Sequence, residues 1–117
     1  RAHQTSARYS EDVSEFQTCD LNPVYLGGHK APFVEESHIK LAMSLIREEK
    51  IQENGVHFIV GKLEAVYMPE NILEEDGNIN IQKAKTIAGV GLDEYLEVFS
   101  LGRLSYAKVN EKIRRIS

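Results

Sequence analysis

The residues best suited to chemistry stand near the start of the chain, in the stretch "TSARY" from Thr5 to Tyr9. Thr5 and Ser6 bring hydroxyls, Arg8 brings a planar guanidinium that can grip two phosphate oxygens at once, and Tyr9 brings a ring for stacking. As a set they suit a phosphorylated, planar ligand. The same residue types also make a polar turn leading into a helix. Glu11 and Asp12 follow directly, and their charge disfavours a phosphate seated on that helix's N-terminus. Chemistry alone leaves both readings open.

Other chemistries find less support. The four histidines, His3, His29, His38 and His57, have neither HExxH spacing nor a carboxylate cluster beside them, so no metal site is expected. No GxSxG elbow accompanies the serines, which leaves nucleophilic hydrolysis without a setting. The glycines of "GGHK" and "GVGLD" match neither GxGxxG nor a phosphate loop ending in Gly-Lys and Ser or Thr, and read as turn glycines. Cys19 is the only cysteine, which excludes an internal disulfide and a cysteine-rich zinc site and fits a reducing compartment.

The elements that must position these groups fit within one domain: 117 residues suffice for one core and are too few for two. A hydrophobic share of 42% with 27% charged residues is that of a globular protein rather than a disordered one. Fourteen basic against eighteen acidic residues give a net charge of −4, which supplies no general attraction for nucleic acid or anionic membrane. No apolar run reaches the length of a membrane span, and the first residues lack the order of a signal peptide. These features together point to a cytoplasmic protein. The chain opens on Arg1 rather than Met, which processing, engineering or a longer parent chain would each produce.

Along the chain, Ser10 is placed to cap a helix from about Glu11 to Cys19, with acidic residues in its first turn. "DLNPVYLGGHKAPFVEES" holds two prolines and the Gly27-Gly28 pair, and reads as a long loop that resists helix and central strand alike. From Ser37 to Asn54 the text is ambiguous. Ile39, Leu41, Met43 and Leu45 alternate with His38, Lys40, Ala42 and Ser44 as in a strand, yet residue propensity favours a helix. After the Asn54-Gly55 turn, "VHFIVGKLEAVYMP" reads as a strand, with a bulge or a close approach at Gly61. There follow an Asp76-Gly77 turn, a short helix starting near Asn80 or Ile81, a glycine-broken segment, and a tail "VNEKIRRIS" read as a short basic helix.

Taken in order, "TSARYSEDVSEF", "KAPFVEES", "NGVHFIVGKLEAVYMPENIL", "DGNINIQKAKTIAGVGLDEY" and "LGRLSYAK" resemble the flavin reductase-like family, the FMN-binding split barrels, over about Thr5 to Lys108. The order and spacing of these segments carry the likeness rather than any one of them. The resemblance implies a mainly β, Greek-key split barrel with short peripheral helices, of which residues 1–117 match the C-terminal part; Arg1 is then expected in mid-domain. It implies a homodimer with FMN near the subunit interface, NADH or NADPH as hydride donor, and an electron acceptor or partner oxygenase downstream. It also implies that the ambiguous segment is a barrel strand.

Carried over by position, Thr5, Ser6, Arg8 and Tyr9 match a turn on the flavin side of the fold. Tyr95, Arg103 and Tyr106 match a C-terminal segment that in relatives folds over the flavin or the partner subunit, although packing explains these three equally well. One departure bears on activity. Several relatives carry a histidine in a G-D-H turn used for nicotinamide, one position before His57, where this chain has Val56. Two further readings therefore stand beside a flavin reductase: a flavin-binding or structural module without turnover, and a small interaction domain in which residues 37–54 are helical.

Overall fold

The computed structural model describes residues 1–116, which form two compact units, residues 1–73 and the residues from Glu74 onward. As expected, the chain is mainly β with a few short helical turns. Its described strands form three separate two-stranded antiparallel sheets.

In the first unit a 3₁₀ turn at His3–Ser6 precedes helix α1, Glu15–Thr18. This helix is shorter than the predicted Glu11–Cys19, and Ser10 does not cap it. The Ser10 hydroxyl instead bonds the Asp12 carboxylate, holding that group below the usual carboxylate range. A turn closed by Val13 N–H on the Ser10 carbonyl at 3.0 Å occupies the residues in between. Ser and Asp compete locally for backbone groups, and β-branched Val13 favours helix weakly, so the helix starts only after them. It ends where Asp20 turns left-handed, φ 54°. Leu21 N–H reaches the Phe16 carbonyl at 2.8 Å and Asp20 N–H the Gln17 carbonyl at 3.4 Å, the paired bonds of a Schellman ending.

The proline-rich loop is not wholly irregular. Strands β1 (Pro23–Val24) and β2 (Phe33–Val34) pair as Pro23↔Val34 and Val24↔Phe33, with Pro23 at a strand's first position, where no donor is lost to the ladder. This short pairing positions Phe33. Its ring is buried, edge-on to Tyr67 at 5.5 Å and tilted against His29 at 5.4 Å.

Strand β3, Lys40–Lys50, settles the ambiguous segment as extended, and with it the helix-based interaction-domain reading falls. It pairs antiparallel with β4, His57–Tyr67, from Lys40↔Tyr67 to Lys50↔His57. A helix preference of a few tenths of a kcal/mol per residue yields here to a long ladder of cross-strand partners. The Asn54-Gly55 turn forms as read: Gly55 has φ 70°, and the Asn54 side chain accepts from Val56 N–H at 3.0 Å.

Near Gly61 the register slips twice. Ala42 faces Ala65 while Met43 faces Leu63, leaving Glu64 extra; Leu45 faces Gly61 while Arg47 faces Val60, leaving Ile46 extra. Both slips are bulges, which bend and twist the ribbon. Gly61 also meets the expected close approach, because a Cβ there would stand 2.8 Å from the Met43 methyl.

In the second unit the Asp76-Gly77 turn is present, with Gly77 N–H on the Glu74 carbonyl at 2.9 Å and φ 83°. The expected helix is a single turn: Ala84 N–H bonds the Asn80 carbonyl at 3.0 Å, the Asn80 side chain accepts from Lys83 N–H at 2.8 Å, and Lys85 ends it at φ 54°. The glycine-broken segment is a hairpin, β5 (Ile87–Val90) with β6 (Glu94–Glu97), turned through Gly91 at φ 61°. The tail is not a helix. It runs back antiparallel, with Leu104 bridged to Arg115, Ser105 N–H on the Arg114 carbonyl at 2.8 Å and Ile116 N–H on the Arg103 carbonyl at 2.9 Å. Val109, Ile113 and Ile116 stand at helical spacing, but pairing with residues 103–105 takes the segment instead; Ser117 lies outside the described residues.

Candidate functional site

The 3₁₀ turn at His3–Ser6 consumes much of the TSARY polar chemistry. Thr5 Oγ1 donates to the Ala2 carbonyl and Ser6 Oγ to the His3 carbonyl, each at 2.8 Å. Both hydroxyl protons are thus spent on the turn, each oxygen keeps acceptor capacity, and either proton becomes available to another acceptor only if its rotor turns. Tyr9 is half-buried. Its hydroxyl accepts from the Gln4 side chain at 3.1 Å, donates to the Gln4 carbonyl at 3.3 Å and lies 3.7 Å from buried Cys19 Sγ. Arg8 follows Ala7, whose extended backbone, ψ 152°, carries the chain out of the turn. Its guanidinium is exposed and has no hydrogen-bond or ion-pair partner among the described residues.

Beside this turn lies a groove of ≈ 650 Å³, lined among others by Arg1, Thr5, Phe33, Lys40 and Leu41. Of the four TSARY residues singled out, Thr5 alone lines it. The groove adds two cations that sequence reasoning did not single out. Arg1 donates to the Asp20 carbonyl at 2.6 Å and lies 3.6 Å from Glu36. The Lys40 ammonium donates to the Glu35 carbonyl at 3.0 Å and also to the Ser37 carbonyl. Backbone N–H groups of Glu36 itself and of Asn22, with Arg1 nearby, hold the Glu36 carboxyl below the usual range. The usable signal was the segment "KAPFVEES" followed by a lysine at a strand start, which marks Phe33 and Lys40 by position.

In the second unit a groove of ≈ 690 Å³ is lined among others by Asp76, Asn78, Gln82, Phe99 and Arg103. Arg103 is anchored by Asp76 at 2.7 Å. Tyr95, opposite Gly89 on β6, and Tyr106 do not line the groove, and the Tyr106 side chain is almost fully exposed. The Arg103 guanidinium and then Asn78 N–H hold the Asp76 carboxyl below its usual range. Glu74 is likewise lowered, chiefly by the Asn80 amide and then Lys83. Because both folded values are depressed, the stability these pairs contribute is present at neutral pH and is lost as pH falls through the folded values, below the ordinary carboxylate range. Amide exchange around residues 74–82 is therefore expected to stay flat from pH 7 to 5, after correction for intrinsic rates, and to rise only in stronger acid. Asp76→Asn should remove part of that rise; an unchanged profile would show that the Arg103 pair contributes nothing.

Among the described residues no group of three or more His, Cys, Asp or Glu is placed to hold a metal, and no helix is long and apolar enough to cross a membrane.

No family model matches the chain. An uncharacterised protein of Aquifex aeolicus is 25% identical over 95 residues, covering 81% of this chain and 47% of its own length. Among solved structures, a protein assigned as a flavin reductase with a split-barrel domain, from Shewanella frigidimarina, superposes with TM-score 0.84 at 43% identity, over 91% of this chain and 54% of that one. The flavoredoxin of Desulfovibrio vulgaris matches with TM-score 0.65 at 27% identity, over 93% of this chain and 56% of its own. The nitrilotriacetate monooxygenase component B of Bacillus cereus shares the fold, with TM-score 0.72 at 20% identity over 86% of this chain and 51% of its own. The chain thus spans about half the length of the relatives it matches. With 43% identity carried on one shared fold across 91% of its residues, it resembles the flavin reductase-like split barrels over about half of their length.

Proposed function

We propose that this chain binds FMN as part of a flavin-dependent oxidoreductase of the flavin reductase type, working in the cytoplasm as a homodimer. The observation that carries the reading is the 43% identity to the split-barrel protein of Shewanella frigidimarina. When bound, FMN supplies hydride acceptance from NADH or NADPH and onward electron delivery, to a carrier or to a partner oxygenase.

The residues of this chain fit such a ligand in part. Arg8 is a cation with no competing partner among the described residues, suited to a phosphate dianion. Thr5 and Ser6 stand in the same turn and can contribute hydroxyls once their protons leave the Ala2 and His3 carbonyls. Phe33 and Leu41 give the adjoining groove an apolar wall, and Lys40 brings positive charge to it. Tyr9 acts one step back: bonded to Gln4, it holds the turn that presents Arg8. Tyr95, Arg103 and Tyr106 are also proposed as flavin contacts, with Arg103 the least available because Asp76 already binds it.

Titration of the purified protein with FMN, followed by flavin absorbance and fluorescence quenching, tests the reading. Arg8→Ala should weaken binding by roughly tenfold to a hundredfold, the loss of a charge-assisted contact to phosphate, and should weaken riboflavin, which has no phosphate, far less. Equal loss for both ligands would remove Arg8 from the phosphate site, and no flavin binding at all would remove the proposal.

A second reading, flavin binding without nicotinamide turnover, is favoured by Val56, exposed at the hairpin turn where relatives place a histidine. Oxidation of NADH or NADPH in the presence of FMN separates the two.

A further inference from the structure

We propose that Asn54, in the turn between β3 and β4, is a modification site: its side chain deamidates through attack by the Gly55 backbone nitrogen, which converts the residue to aspartate and isoaspartate. The proposal stands apart from flavin binding and rests on the chemistry of the turn itself.

Of the asparagines, only Asn54 precedes glycine; Asn71, Asn78 and Asn80 precede isoleucine, Asn110 precedes glutamate and Asn22 precedes proline. A glycine leaves its nitrogen unscreened and its backbone free to swing toward the preceding side chain. Asn54, Gly55 and Val56 are all exposed. Nothing stands within 4 Å of the Cβ position of Gly55, so no neighbour crowds the ring that must form. Asn54 Oδ1 accepts from Val56 N–H at 3.0 Å. That donor polarises the side-chain carbonyl and already faces the oxygen on which charge develops when Cγ is attacked. The Asn54 Nδ2 has no hydrogen-bond partner among the described residues, so nothing retains it as it leaves.

The reaction is a cyclisation followed by a hydrolysis. The Gly55 nitrogen bonds to Asn54 Cγ and gives its proton to water, the Cγ–Nδ2 bond breaks, and Nδ2 takes a proton from water and leaves as ammonia. Water then opens the cyclic imide at either carbonyl, giving aspartate by one route and isoaspartate by the other. The gate is the Gly55 N–H, which donates to the Ile51 carbonyl at 2.8 Å. That bond closes an exposed loop at the end of a two-stranded ribbon, where local opening costs least.

The Asp76-Gly77 turn is the internal comparison. It has the same build, with Asp76 Oδ1 accepting from Asn78 N–H at 3.1 Å and Gly77 N–H on the Glu74 carbonyl at 2.9 Å. There Arg103 binds the other carboxylate oxygen at 2.7 Å. The guanidinium keeps that carboxylate ionised, and an anion repels a nucleophile and offers no leaving group. Isoaspartate at position 54 would route the backbone through Cβ, adding a methylene and a negative charge to the turn and loosening the adjoining pair Lys50↔His57.

The test holds the folded full chain in mildly alkaline buffer, samples it over days and maps its peptides by mass spectrometry. The expected result is a gain of about 1 Da confined to the peptide that contains Asn54. Part of the product should resist a protease that cleaves before aspartate, which marks isoaspartate, and the rate should rise with pH because the attacking nitrogen must lose its proton. Asn54→Gln, whose ring would be one atom larger, should slow the gain about tenfold or more. Arg103→Ala should raise isoaspartate at Asp76 several-fold. A gain at Asn54 in the urea-unfolded chain but none in the folded one would show that the Ile51 bond seals the turn, and would overturn the proposal. Equal gains at Asn71, Asn78 or Asn110 in the folded chain would overturn it too.

Discussion

Phe33→Ala is expected to destabilise the first unit by about 3–5 kcal/mol, the cost of emptying a buried aromatic site. Phe33 is one of the few buried hydrophobic residues of the chain, at 8% exposure. Its ring joins three pieces of sequence that are otherwise far apart: β2, the loop through His29 and the end of β4 at Tyr67. A small core cannot spread the loss over many neighbours, and a domain of this size has only about 5–15 kcal/mol in total. Urea unfolding followed by circular dichroism measures it. Phe33→Leu separates volume from ring geometry: it should keep most of the packing and lose about 0.5–1.5 kcal/mol of edge-on aromatic contact. A cost below about 1 kcal/mol for Phe33→Ala would mean that the aromatic cluster does not hold β2 to β4. Because Phe33 also lines the groove beside Thr5, Phe33→Leu is the variant for flavin titration, since it should remain folded.

Gly27→Ala should cost nearly as much through a different route. Gly27 has φ 57°, and a Cβ there would fall 2.0 Å from the Tyr67 hydroxyl and 3.2 Å from the ring carbon that bears it. The left-handed backbone costs an alanine about 1 kcal/mol, and displacing a ring packed against Phe33 adds about 1–3 kcal/mol. Two comparisons isolate the parts. Gly28 has φ 73° with nothing within 4 Å of its Cβ position, so Gly28→Ala should show the backbone cost alone. Tyr67→Phe removes the clashing oxygen, so the double variant should recover much of the steric part in a mutant cycle. Equal effects at Gly27 and Gly28 would deny the close approach to Tyr67.

The sequence by itself determined the strands and turns wherever local chemistry and alternation agreed. The strand from His57, the Asn54-Gly55 and Asp76-Gly77 turns and the irregularity at Gly61 follow from β-branched residues, positive-φ glycines and a missing side chain, all of which act within a few residues. The family resemblance was legible too, because five segments in order carry it although no single motif does. The choice between helix and strand at residues 40–50 was not local: it depended on a partner strand, and only pairing with β4 made alternation outweigh propensity. The two-residue strands in the proline-rich loop and the return of the tail onto Leu104 likewise depend on contacts distant in sequence. At the candidate site, residue types alone suggested four ligand-facing groups. Tertiary structure divided them, spending the Thr5 and Ser6 protons on a 3₁₀ turn, tying Tyr9 to Gln4 and Cys19, bringing Arg1 and Lys40 beside Phe33, and leaving the Arg8 guanidinium without a partner among the described residues. A hydroxyl or a cation can serve its own backbone or a ligand, and which of these it does is decided by the groups that folding places within reach.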